Sequence, residues 1–128
     1  MSSKVVLVGH CGPDSSALRW AVASADRSIE VLSADTPQEL DRAIAAGAQL
    51  LLVNRELSYG FQDGLGVDLI RRLRSQHPNL RMMLVSNYPD AQADAVAAGA
   101  IPGFGKRDIG SPKVAAQLQK ALGSAGGG

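Results

Sequence analysis

Five short apolar runs alternate along this chain with five helix-length segments, and that alternation constrains the fold more than any other feature. The runs cover residues 5–8, 29–32, 50–53, 81–85 and 101–105. Each has the length of a strand, and most lack polar alternation, the pattern of strands covered on both faces. Pro102, Gly103 and Gly105 demote the fifth to an edge strand. The intervening segments carry helix punctuation. Gly12-Pro13-Asp14 supplies a turn, a proline near the first helical position and an acid at the positive helix end. Thr36-Pro37-Gln38-Glu39 is a capping-box arrangement. Gly47 and Gly99 follow alanine-rich stretches and suit a left-handed helix terminus. Pro89-Asp90 and Ser111-Pro112 open the fourth and fifth helices, and His77-Pro78 closes the third. Short connections between alternating strands and helices predict an α/β single domain: a doubly wound, five-stranded parallel sheet, (βα)5 and flavodoxin-like, with right-handed crossovers. The domain is expected over residues 1–122, with 123–128 (Gly-Ser-Ala-Gly-Gly-Gly) a flexible tail or linker stub.

Composition excludes several classes. Apolar residues make up 45% of 128 and the formal charge is +1, which argues against disorder and against a nucleic-acid footprint. No apolar stretch approaches the roughly 20 residues of a membrane helix. Met1-Ser2-Ser3-Lys4 leads straight into the first run, leaving no room for a signal peptide. The single cysteine, Cys11, has no internal disulfide partner, so a reducing cytoplasm is expected.

In sheets of this kind a site forms where loops leave the carboxyl ends of the strands, at the point where strand order reverses. That rule gathers Gly9, His10, Cys11, Asn54, Ser86 and Lys106. With the strands placed, residues 4–122 resemble a response-regulator receiver domain, the phospho-accepting module of two-component signalling. Gly47-Ala48-Gln49-Leu50-Leu51-Leu52-Val53-Asn54 matches the segment ending in the phosphorylated aspartate, with Asn54 at that position. The glycine-led helix Gly64-Leu65-Gly66-Val67-Asp68-Leu69-Ile70 matches the third helix. Met83-Leu84-Val85-Ser86-Asn87 places Ser86 at the switch hydroxyl, and Gly103-Phe104-Gly105-Lys106 places Lys106 at the family's lysine.

The departures are as specific as the matches. The acidic pair that holds magnesium in the family reads Gly9-His10 here, the acceptor aspartate is Asn54, and the proline after the lysine is Arg107. The switch aromatic falls on Gly103, with Phe104 one position later. A carboxamide cannot attack a phosphoryl donor, because its lone pairs are held in amide resonance. Magnesium is a hard ion that takes oxygen ligands, usually including one or two carboxylates. Against the resemblance, the chain reads as a degenerate pseudo-receiver without magnesium or any other cofactor. Lys106, having lost its anionic partners, is expected to turn outward or to pair with Asp14, Glu56 or Asp63.

Other chemistry was weighed residue by residue. His10 and Cys11 are adjacent on an extended segment and point in opposite directions, which disfavours a shared metal ion. Ser86 as a nucleophile needs a base, and only His10 is available. Ser86 and Asn54 are candidates for a polar pair that replaces the charged pocket. Trp20 lies opposite Leu18, Ala21, Val22 and Ala25 on the first helix and is predicted to face outward as a partner surface. Tyr59 and Phe61, in a loop over 56–64 that is longer than the family's, are candidate contact residues or parts of a lid. The leading expectation is a phosphorylation-independent signalling module, not an enzyme, that meets a protein partner or a second copy of itself, with no nucleic acid and no membrane. Two alternatives stay open: a flavodoxin-like ligand-binding or thiol/serine enzyme using His10, Cys11 and Ser86, and an active receiver with another acceptor.

Overall fold

A computed structural model describes residues 3–57 and 61–125. The strands are β1 (Lys4–Val8), β2 (Glu30–Ala34), β3 (Leu50–Asn54) and β4 (Arg81–Val85), all parallel, in the order β2-β1-β3-β4. The helices are α1 (Gly12–Ala25), α2 (Pro37–Ala45), α3 (Gly66–Gln76), α4 (Pro89–Ala98) and α5 (Pro112–Ala125). Two-residue periodicity splits the apolar runs between two cores. Val5, Leu7, Leu50, Leu52, Met83 and Val85 meet Leu18 and Val22 of α1 and Val114 and Leu118 of α5. Val6, Val8, Leu51, Val53, Met82 and Leu84 meet Leu40, Leu69, Ile70, Leu73 and Ala95 on α2, α3 and α4. Burial on both faces is why these runs read as continuous hydrophobic stretches.

The punctuation acts as expected. Thr36 Oγ1 accepts from the Glu39 N–H at 3.2 Å, and Glu39 Oε1 accepts from the Asp35 N–H at 2.8 Å. Gly99 ends α4 at φ 118°, a left-handed conformation that residues with a Cβ rarely adopt. α5 continues to Ala125, three residues into the segment expected to be tail, and 126–128 lie outside the described residues.

The expected fifth strand is corrected by the structure. Residues 101–105 run beside β4 but form only one isolated bridge, Val85 with Phe104. The Ile101 N–H donates to Met82 O at 2.9 Å, and a regular parallel ladder would then bring the Ser86 N–H to the Gly103 carbonyl. It reaches Phe104 O instead, at 2.9 Å. The segment therefore carries one residue too many at Pro102-Gly103, and proline supplies no ladder donor. Phe104 still buries its ring in the α1/α5 core.

Candidate functional site at the carboxyl end of the sheet

The strand order reverses between β1 and β3, and the loops that follow them carry the sequence-predicted residues. Gly9 leaves β1 at φ 73° and donates its N–H to Ala34 O at 3.1 Å. A Cβ at this position would lie 2.6 Å from Leu57 Cδ2, so the buried Leu57 side chain fills the space that a side chain at position 9 would need. The next residue, His10, is buried and turns its ring back over the sheet, where Nε2–H donates to Leu52 O at 2.8 Å. Its Nδ1 has no hydrogen-bond partner among the described residues. Burial lowers the His10 pKa; the bond to Leu52 opposes that shift, and the Lys106 charge adds to it. His10 is therefore a neutral imidazole with one ring nitrogen committed to the backbone.

Asn54 ends β3 and is fully engaged. Nδ2 donates to Gly9 O and to Glu56 O, each at 3.1 Å, and Oδ1 accepts from the Arg55 N–H at 3.0 Å. The carboxamide thus ties the β1 loop to the β3 loop. Gly66 lets α3 start against this strand end, since a Cβ there would collide with Asn54 O. Ser86 directly follows β4 and is buried, and its Oγ accepts from the Tyr88 N–H at 3.1 Å. The expected Asn54–Ser86 hydrogen bond is not made: both side chains are committed to neighbouring backbone instead. Lys106 pairs with Asp14 at 2.9 Å, one of the three expected acids. Glu56 pairs with Arg55 at 2.6 Å and Asp63 with Arg72 at 2.7 Å. The hydrogen bond from Lys106 is the main reason the Asp14 pKa lies below the usual carboxylate value.

Asn54, Ser86 and Lys106 line one cavity of about 320 Å³, together with Arg55, Glu56 and Tyr88. Gly9 and His10 do not reach it. At its rim the Arg55 guanidinium stacks over the Tyr88 ring at 4.5 Å from the centroid. Sequence reasoning missed Arg55, Tyr88 and Leu57. Adjacency to Asn54 pointed to the first, whereas nothing in the sequence marks Leu57 as the residue that covers Gly9.

No protein-family model matches the sequence, and no curated protein matches it. Solved structures do. A response regulator from Chloroflexus aurantiacus J-10-fl superposes with TM-score 0.78 at 16% identity, over 96% of this chain and 99% of that one. The signal receiver domain of a DNA-binding response regulator from Colwellia psychrerythraea 34H gives TM-score 0.75 at 12% identity, over 95% and 99%. The RcsB response regulator of Salmonella typhimurium gives 0.73 at 18% identity, and the match covers 93% of this chain but 60% of that longer one. The fold is that of response-regulator receiver domains.

The receiver fold raises the question of whether these residues suit a magnesium ion. The donor set does not fit. The three positions are a glycine under Leu57, a neutral buried histidine and a carboxamide whose oxygen is already bonded. Asp14 is held by Lys106, and Glu56, which lines the cavity, by Arg55. Among the described residues no cluster of three or more histidine, cysteine or acidic side chains is arranged for a metal.

The enzymatic alternative is not assembled either. His10 bonds to Leu52 O and Ser86 to the Tyr88 backbone, and no hydrogen bond joins them. Cys11 is exposed at the start of α1. Of the expected contact residues, Trp20 faces outward with 60% of its surface exposed. Phe61 is half-buried and packs against the α2/α3/α4 core. Tyr59 lies outside the described residues. The loop neck is closed by the Leu57 N–H to Gly64 O bond at 3.0 Å and the Gly66 N–H to Arg55 O bond at 2.8 Å.

Proposed function

We propose that this domain is a degenerate receiver, a signalling module that works without phosphorylation and without covalent chemistry, by contact with a partner protein. The observation that carries the reading is the packing of Leu57 over Gly9 beside the three-bonded Asn54. An aliphatic side chain and a satisfied carboxamide occupy the ground on which an acidic, metal-binding pocket would be built. Exposed Trp20 supports α1 as the surface that meets the partner, since a large aromatic side chain left in solvent favours burial in a complex. The absence of a membrane-length apolar helix among the described residues accords with a partner in solution.

The test is exposure of the full chain to acetyl phosphate with magnesium, followed by intact mass measurement. The expected result is no phosphorylated species, and magnesium with beryllofluoride should shift neither the melting temperature nor the Trp20 fluorescence. A phosphorylated product that disappears on changing one pocket residue would replace this reading with that of an active receiver using another acceptor.

A further inference from the structure

Gln92 lies in the first turn of α4, and its carboxamide enters the gap between β4 and residues 101–105. Nε2 donates to Leu84 O at 2.9 Å and is shared with Ser86 O at 3.1 Å and Phe104 O at 3.2 Å. Oε1 accepts from the Gly103 N–H at 3.3 Å. An amide carries two N–H protons, so the three carbonyls divide them. From the opposite side Gln117 of α5 donates to Gly103 O at 3.0 Å. The extra residue at Pro102-Gly103 is thus accommodated by glutamine side chains in place of the backbone ladder. Gly103 already lies so close to β4 that a Cβ there would collide with Leu84 O. Distance does not keep this segment out of the sheet; the surplus residue breaks the ladder, and the Gln92 carboxamide takes up groups that the break leaves unpaired.

We infer that Gln92 is a latch that makes α4 and residues 101–105 one mechanical unit. Besides Gln92, α4 is held by small side chains, Ala91, Ala95 and Ala98, packed against the α3 side of the core. Ala95 is its one buried residue, and Val96 is exposed. When α4 moves away from the sheet, the Gly103 N–H loses its partner and the Phe104 carbonyl keeps only the Ser86 N–H. The unit continues into the cavity described above, because Lys106 follows directly and the Arg107 N–H donates to Asn87 Oδ1 at 3.1 Å. Displacement of α4 therefore reaches the Lys106–Asp14 pair through backbone alone. The inference does not depend on the proposed function.

Amide hydrogen exchange on the full chain tests the latch. In Gln92→Leu, exchange should accelerate roughly tenfold at Gly103 and, together with it, at the α4 and C-cap amides of Val96, Gly99 and Ala100, while β1 and β3 amides keep their rates. Gln117→Ala, which releases Gly103 from α5 only, should leave the α4 amides protected. Gln92→Glu keeps the side-chain size and the acceptor for Gly103 but turns a carboxylate oxygen toward the three carbonyls, and at neutral pH should give the same paired effect at least as strongly. Acceleration at Gly103 with α4 unchanged would reduce Gln92 to a local cap and overturn the inference. Equal acceleration across every strand would overturn it as well, by making the effect one of global stability.

Discussion

Replacing Asn54 by aspartate restores the charge that a receiver carries at this position, and the structure predicts that it harms the protein. The Asn54 Nδ2 donates to two carbonyls at 3.1 Å each. In Asn54→Asp, a carboxylate oxygen faces those same two carbonyl oxygens. Two donors are lost, each worth about 0.5–1.5 kcal/mol, and repulsion is added, while the half-open site screens part of both. The sum is about 1–3 kcal/mol, or a fall in melting temperature of about 3–12 °C for a domain of this size. Arg55 and Lys106 offset little, because Glu56 and Asp14 already engage them. Asn54→Ala is the informative comparison, since it loses the same two donors, and the acceptor of the Arg55 N–H as well, without adding a charge. At pH 7 Asn54→Asp should be the less stable of the two. Repulsion raises the folded pKa of the introduced carboxyl, so that group's contribution is complete at low pH and is lost as pH rises through the folded pKa. The gap between the variants should therefore close near pH 4. Urea denaturation at both pH values measures it. An Asn54→Asp protein as stable as wild type at pH 7 would refute the reasoning.

Two further outcomes follow from the titrating groups. The Asp14–Lys106 pair is about one-third exposed on each side, so a double-mutant cycle with Asp14→Asn and Lys106→Met should give a coupling of at most about 1 kcal/mol. Because the folded Asp14 pKa is lowered, that coupling is present at neutral pH and is lost as pH falls through it; a coupling above about 2 kcal/mol would mean that the pair is buried in solution. The His10 pKa is also lowered, so the folded state binds fewer protons than the unfolded chain, and stability should decline as pH drops below about 6.5. Gln keeps a donor for Leu52 O without a titrating ring, and in His10→Gln the slope of stability between pH 7 and pH 5 should flatten; an unchanged slope would assign the acid sensitivity to other groups.

The fold was legible where local pattern and tertiary structure agree. Four apolar runs became strands, with ends within about two residues of the expected ones, because burial on both faces leaves a signature that solvent-facing polar residues do not interrupt. The fifth run failed for a reason no window of sequence contains. One surplus residue breaks the pairing, and a side chain from α4 fills the gap. Nothing in Pro89-Asp90-Ala91-Gln92 distinguishes a glutamine that inserts into a sheet edge from one that faces water. The site was half legible. Asn54, Ser86 and Lys106 do share a cavity, as strand ends must, and Trp20 does face outward, as the helical wheel requires. The partners of these side chains were not legible, apart from Asp14 as one of three acids open to Lys106, a choice the sequence does not make. His10 turned away from Ser86 because a buried imidazole found a carbonyl within reach, and Phe61 packs partly against the α2/α3/α4 core.

These particulars explain how the carboxyl end of the sheet holds together without the charges of a receiver pocket. A charged pocket depends on its cation and its phosphoryl group for balance, and its loops can change position when either changes. Here neutral carboxamides do the tying. Asn54 joins the loops after β1 and β3, Asn87 joins the loop after β4 to the backbone at Arg107, and Gln92 and Gln117 hold Gly103 from its two sides. A carboxamide both donates and accepts, so it satisfies backbone carbonyl and N–H groups together and needs no counterion. Each such bond contributes only about 1 kcal/mol net, but each missing one would strand a backbone group in a partly dry site. Phosphorylation chemistry and this network place opposite demands on position 54. An acceptor needs a free oxygen facing solvent and a cation, and a tie needs both ends of the side chain occupied by the protein's own backbone. Asn54 meets the second demand completely, and this physical ground favours a fixed contact surface over a phosphate-driven switch.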